Sequence, residues 1–395
     1  MNQVKAFPTE RIEKRRVLMD AVESVRPTLE AGAEESERIG TLAPASVDAL
    51  YDSGLLRLKM PHVLGGAEAD VVTQLDVLEA VSRIDPASGW CLMIGAASLG
   101  SLAAFLPDDS IEEIFVGGKP PRTAGAAAPS ATATPVDGGY RVTGHWKFGS
   151  GIMHADWVSA GARVAADAPP GSPRQLRLIM PKHKVKVHDN WQVMGLRGTG
   201  SCDFSVDNLF VSDGFAWDAT LTEPLRGGAL YRLGRPAFVT NEHSAFALGV
   251  ARRALDAVTE MAVFKMRGYN SANLLANRAT FQRALGECDL RLRAARSLNV
   301  EILEEAWRSV CAGQTPPPPL QAEMRSCATY TTDVAADVTA QAFRYGGGEA
   351  LFTPNILQQC LRDINAAAQH QMVSDAAYEN HGQFLLGLPD ARVME

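Results

Sequence analysis

The spacing of apolar positions changes twice along the chain. From Ile12 to Arg38, and again through VVTQLDVLEAVSRI with Val72, Leu75, Leu78 and Val81 on one face, apolar residues recur every three or four positions and predict helices. Pro27 predicts a bend or break in the first of these, and Pro44 to Tyr51 a short helix that starts on proline and stops at Ser53-Gly54. Pro61 and Gly65-Gly66 mark a connector. After Pro86 the run SGWCLMIGAASLGSLAAFL is apolar on every side and rich in small residues, which predicts a buried helix that something flat, or another backbone, can approach.

From about Thr123 to Val211 the chain turns to Gly, Thr and Val with hairpin punctuation. Asp137-Gly138-Gly139 stands between two β-prone runs and APPGSPR reads as a further hairpin loop, so six or more strands are expected. After Asn241 helix returns, with one stripe of Leu248, Ala251, Leu255, Val258 and Ala262 and a second of Phe281, Leu285, Cys288, Leu292, Ala295 and Ile302. TPPPPL separates two long helices, the second ending at the glycine turn Gly346–Gly348; a loop held by Pro354 and a last helix then deliver His370. The expected fold is α+β: an N-terminal helical domain over residues 1–122, a central β-barrel or sandwich over 123–222 and a C-terminal four-helix bundle over 223–395.

A formal charge of −7 without a Lys/Arg block gives no reason to expect nucleic acid or an anionic membrane. The six cysteines lack CxxC pairing, which argues against zinc or a disulfide framework and for a reducing compartment. With no apolar signal segment at the start and no run judged long enough to cross a bilayer, a cytoplasmic protein is expected.

Candidate chemistry is sparse. Taken alone, His370 is one of eight histidines and reads as an ordinary core or surface residue. Ser150 is a short hydroxyl donor beside Gly151, which permits close approach. Thr199, Gly200 and Ser201 put hydroxyl and backbone donors in a tight turn, but GLRGTG follows no Rossmann pattern and is not a dinucleotide fingerprint. Arg278 offers a charged fork suited to a phosphate, although a solvated arginine is its default. Trp146 and Trp157 could flank a ring, while aromatic residues on strands are more often core.

The ordered set YRVTGHWKFGSGIMHADW, GLRGTGSCDFSVDNLFV, SAFALGVARRALD and NRATFQ resembles the acyl-CoA dehydrogenase fold over about residues 10 to 390. In the dehydrogenases a helix with an Arg-Asp pair like Arg362-Asp363 is followed by the glutamate that abstracts the substrate proton; here that place reads AAAQHQM. The combination of HWKFGSGIMHADW, GLRGTGS, a GGG turn and His370 resembles instead the two-component flavin-dependent monooxygenases. That resemblance implies reduced FMN or FAD supplied by a separate NAD(P)H:flavin reductase, O2 as co-substrate, and a flavin C4a-hydroperoxide kept from water. It implies that His370 protonates or holds the distal oxygen and that Ser150 lies near flavin N5. Trp146, Phe148, Gly151, Thr199, Ser201, Gly346 and Gly347 would contact the cofactor, with Arg278 and Phe281 forming a phosphate motif directed at a neighbouring subunit of a homotetramer.

Trp90, Ser98 and His370 would line the substrate pocket. Phenol-hydroxylating relatives carry a second histidine in the helix after the Ser-Gly-Trp motif, where this chain has Ser98 in GAASLGS. Either the substrate is not a phenolate or another group binds it; the resemblance implies a small aromatic substrate, indole-type or phenolic. An acyl-CoA dehydrogenase or oxidase, an N- or S-oxygenating relative and a catalytically silent scaffold are the other readings.

Overall fold

A computed structural model describes residues 6–266 and 273–394. Its first helix, α1 (Arg11–Ile39), starts where the Glu10 carboxylate accepts the Glu13 N–H and ends at left-handed Gly40. Of the bend or break expected at Pro27, the break does not occur. Val22, Val25 and Leu29 are buried on either side of the proline, so tertiary packing holds the helix through the missing hydrogen bond. After α2 (Pro44–Asp52) and two short 3-10 turns, α3 (Val71–Ile84) is capped by Asp70, which accepts the N–H groups of Val72 and Thr73. Leu75, Leu78 and Val81 are buried as the spacing predicts, while Val72 is half-buried.

Helix α4 (Pro86–Phe105) opens on proline behind the Asp85 cap and buries residues on all sides. It is long and apolar enough to cross a membrane, contrary to the expectation that no run is, but it is a core helix enclosed by protein. Gly100 lets it cross the Lys59 backbone, which a Cβ would approach to 2.7 Å. A short α5 (Asp108–Ile114) leads into the sheet.

Seven strands follow: β1 (Thr123–Val136), β2 (Gly139–Trp146), β3 (Trp157–Val164), β4 (Gln175–Pro181), β5 (Lys186–Val187), β6 (Phe204–Ser212) and β7 (Ala216–Asp218). They form one sheet in the order β5-β6-β2-β1-β3-β4-β7, antiparallel throughout except for β1–β3. Asp137-Gly138 makes the β1–β2 hairpin, with Gly138 at φ +74. The expected barrel or sandwich is thus a single open sheet. Its edge strands β5 and β7 are two and three residues long and do not meet, and α4 covers a face, with the Thr123 and Ser98 hydroxyls donating to the Gly95 and Ala124 carbonyls.

The second helical region comprises α6 (Ala237–Ala262), α7 (Ala279–Cys311), α8 (Pro318–Gly346), α9 (Ile356–Ala367) and α10 (Ala376–Leu385). It shares one core with the N-terminal helices, including Leu18, Leu75, Leu92, Phe246, Val338 and Ile364, while Trp146, Leu178 and Phe204 belong to a separate core in the sheet. The catalytic candidates lie where these two cores meet.

Candidate active site

Four stretches converge on Trp90. Its indole N–H donates to Ser150 Oγ at 3.0 Å from the loop after β2. Ser150 Oγ lies 2.7 Å from Ser201 Oγ, which lies 2.6 Å from Thr199 Oγ1, whose hydroxyl donates to the Leu196 carbonyl at 2.8 Å. One proton per hydroxyl fixes the direction of this chain. Thr199 spends its proton on Leu196 and accepts from Ser201, which in turn accepts from Ser150. Ser150 therefore has no proton left to donate and keeps one lone pair, so it offers an acceptor rather than the donor expected from the sequence.

Across Trp90 stand two imidazoles. His370 packs edge-on to Trp90 at 5.9 Å between ring centroids and lies 4.5 Å from His243, which is itself 5.8 Å from Trp90; Phe246 closes the cluster at 5.0 Å. His370 is half-buried and is not helix-borne: α9 ends at Ala367, and His370 sits in the turn beyond it. Its Nδ1 accepts the Met372 N–H at 3.2 Å, so the neutral ring carries its proton on Nε2. Burial holds His370 down to about 4, and burial, then the His370 and Lys59 charges, holds His243 well below the ordinary imidazole range. Both rings are neutral at neutral pH.

His243 was not legible as a site residue. It places a second imidazole, from α6, against Trp90 and His370. The signal was a lone imidazole in the stretch Ala237–Ala251, where nearly every side chain is buried. Its neighbour Glu242 forms a buried pair with Lys59 at 2.7 Å, and Lys59 also donates to the Phe238 carbonyl at 2.5 Å. Burial raises Glu242 to about 7 and lowers Lys59, so the pair adds no net charge to the cluster.

The loop carrying Thr199 and Ser201 is fastened to α9. The Asp363 carboxylate accepts the Leu196 N–H at 2.6 Å and Arg362 donates to the Met194 carbonyl at 2.7 Å. Gly195 has no room for a side chain, since a Cβ would lie 2.2 Å from the Arg362 carbonyl oxygen. Burial pushes Asp363 up to about 7.

Beside the hydroxyl chain the two loops expose apolar surface: Phe148, at φ +64, with Met153 and Met194, and Trp191 edge-on to Phe148 at 6.2 Å. An exposed apolar patch next to a buried polar acceptor fits the face and edge of a flat heteroaromatic cofactor.

The acyl-CoA dehydrogenase C-terminal domain family matches residues 242–375. The chain is 30% identical to an indole-3-acetate monooxygenase of Pseudomonas putida, over 86% of each protein. It is 27% identical to the oxygenase subunit HsaA of a flavin-dependent monooxygenase from Rhodococcus jostii, over 94% of this chain and 98% of that one. Among solved structures, XiaF from Streptomyces sp. in complex with FADH2 and glycerol superposes with a TM-score of 0.87 at 26% identity, covering 96% of this chain and 97% of that one. The chain belongs to the flavin-dependent monooxygenases of the acyl-CoA dehydrogenase fold.

In this monooxygenase several expected cofactor residues stand elsewhere. Trp146 is fully buried in the sheet, stacked on Phe204 at 5.0 Å with its N–H on the Gly161 carbonyl, which leaves no face for a ring. Trp157 stacks on Phe215. Phe281 is buried between α7 and α8, edge-on to Tyr345 at 5.0 Å. Gly346 ends α8 where a Cβ would meet Ala350 and Leu357 at 2.6 and 2.7 Å, and Gly347, at φ +62, turns the chain towards α9. Both shape that turn. Ser98 lies eight residues beyond Trp90 on α4, donating to the Ala124 carbonyl at 3.3 Å, and stands apart from the imidazoles. Gly151, at φ +76, keeps Ser150 in place by donating its N–H to the Thr199 carbonyl at 3.0 Å. Arg278 is exposed at the start of α7.

Proposed function

We propose that this monooxygenase uses reduced FMN or FAD, delivered by a separate flavin reductase, and O2 to place one oxygen atom on a small, uncharged, electron-rich aromatic ring, with indole types favoured over phenolates. The observation that carries this is the pair of neutral imidazoles, His243 and His370, packed against Trp90 opposite the Ser150 acceptor. Bound reduced flavin supplies the electrons that activate O2. Ser150, with its remaining lone pair, suits the N5–H that only the reduced ring carries. His370, with its proton on Nε2, is the group placed to donate to the oxygen being transferred. Trp90 and Phe246 keep water away.

The preference for an uncharged substrate follows from charge. Neither imidazole is a cation at neutral pH, and Lys59 is already matched by Glu242. Nothing in the cluster would compensate a buried phenolate. The name of the Pseudomonas putida relative supports an indole type. A homotetramer, in which the exposed Arg278 would hold a neighbouring copy's flavin phosphate, is supported by the exposed Phe264, Leu290 and Phe352 on the C-terminal helical region. Six free cysteines, five of them buried, fit a cytoplasmic location.

The test mixes the protein with reduced flavin, 18O-labelled O2 and either indole or phenol, and follows product by mass spectrometry. One labelled oxygen atom in the indole product, with less from phenol, is expected. Flavin that reoxidises as it does free in solution without labelled product, or bound flavin reduced by an acyl-CoA, would sink the reading.

A further inference from the structure

At the far end of α4 from Trp90, Ser101 and Phe105 border a cavity of about 380 Å³, closed by β4, β7 and the stretch leading into α6. Ser101 lies eleven residues beyond Trp90, about 16 Å along a helix axis, and none of Trp90, His243, Phe246 and His370 lines this chamber. Its lining holds two arginines and no carboxylate among the described residues. Arg177 is 4% exposed, and its Nη2 has no hydrogen-bond partner. It sits on β4 directly opposite Trp217 on β7, so the two side chains share a face of the sheet. Asp218 alternates to the other face, where its carboxylate accepts from the Thr220 N–H and hydroxyl. Glu223 pairs with Arg232, and Glu242, one turn beyond the lining Phe238 on α6, pairs with Lys59.

Arg235, from the stretch leading into α6, borders the same cavity with its side chain open to solvent. The buried Arg177 without a counter-charge is unfavourable unless something anionic enters, and the exposed Arg235 adds a second positive charge at the same cavity. The rest of the lining suits an organic molecule: Phe105 stacked on Trp217 at 5.9 Å, Tyr231 and Phe238.

We infer that this chamber is an anion site in which Arg177 and Arg235 grip the carboxylate or phosphate of a small organic anion whose apolar part lies against Phe105, Trp217, Tyr231 and Phe238. The guanidinium forks match either head group in bidentate fashion. The inference does not depend on the flavin reaction.

The test uses the full chain without flavin, and benzoate, phenyl phosphate and inorganic phosphate as probes in calorimetric titration and thermal unfolding. Saturable one-to-one binding of benzoate or phenyl phosphate is expected, weakened at least tenfold in Arg177→Met and in Arg235→Gln. The tighter of the two identifies the head group. Without ligand, Arg177→Met is expected to melt no lower than the parent protein, since it removes an uncompensated buried charge; an arginine serving only as structural support would give a lower melting temperature. The inference is overturned if none of the three anions binds the parent protein, or if both variants bind them as tightly as it does.

Discussion

The two ends of α4 solve the burial of polar groups in opposite ways. At the Trp90 end each proton on the Ser150–Ser201–Thr199 chain is spent within the protein. At the Phe105 end, Arg177 is buried with nothing to receive Nη2. In the first arrangement every proton is committed before any ligand arrives, so the one open acceptor, on Ser150, is held in a fixed geometry. The second is completed only by what binds there. A saturated network thus marks positioning, and a buried unsatisfied cation marks recognition.

The largest break in this contrast is expected from His370→Ala. Product formed per flavin oxidised should fall by about 10²-fold or more, with hydrogen peroxide released instead, while circular dichroism stays that of the parent protein. Unchanged coupling would remove His370 from oxygen transfer. Next, Ser150→Ala orphans the Trp90 indole and takes a donor from Ser201, and should cost about 1 to 3 kcal/mol in denaturant unfolding. If it costs nothing, the chain is not the rigid element described. The mildest perturbation is Asp363→Asn. The folded carboxyl keeps its proton up to about pH 7, whereas the unfolded one loses it near its ordinary value of 3.8. This group therefore favours the folded state least at high pH, and its contribution falls as pH rises from about 4 to 7, by at most about 1.4 kcal/mol per pH unit. Asn, still able to accept the Leu196 N–H, should flatten that slope. A parallel curve would assign the dependence to other groups.

Local sequence patterns carried the element order well. The Asp137-Gly138 hairpin, the enclosed α4 and the buried α6 stripe of Leu248, Ala251, Leu255, Val258 and Ala262 follow from turn chemistry and periodicity. Whether the sheet closes was not readable, because pairing β3 with β1 and leaving β5 and β7 apart are non-local choices. Pro27 does not break α1 because neighbouring burial outweighs one lost hydrogen bond. The motif match brought Ser150, Thr199 and Ser201 to attention, yet it could not tell Trp146 and Phe281, which pack into cores, from residues that face a ligand. His243 escaped because it meets His370 across more than a hundred residues of chain, and no spacing encodes that meeting.

The fastening around Gly195 also joins distant parts of the polypeptide. Glu37 near the end of α1 pairs with Arg197 and with Arg362, while Asp363 holds Leu196. The early, middle and late portions of the chain are thereby knotted at one point beneath the reactive loop. Two of the residues that hold this loop, Arg362 and Asp363, belong to α9 near the end of the chain, so the loop's anchorage depends on the last part of the polypeptide being packed in place.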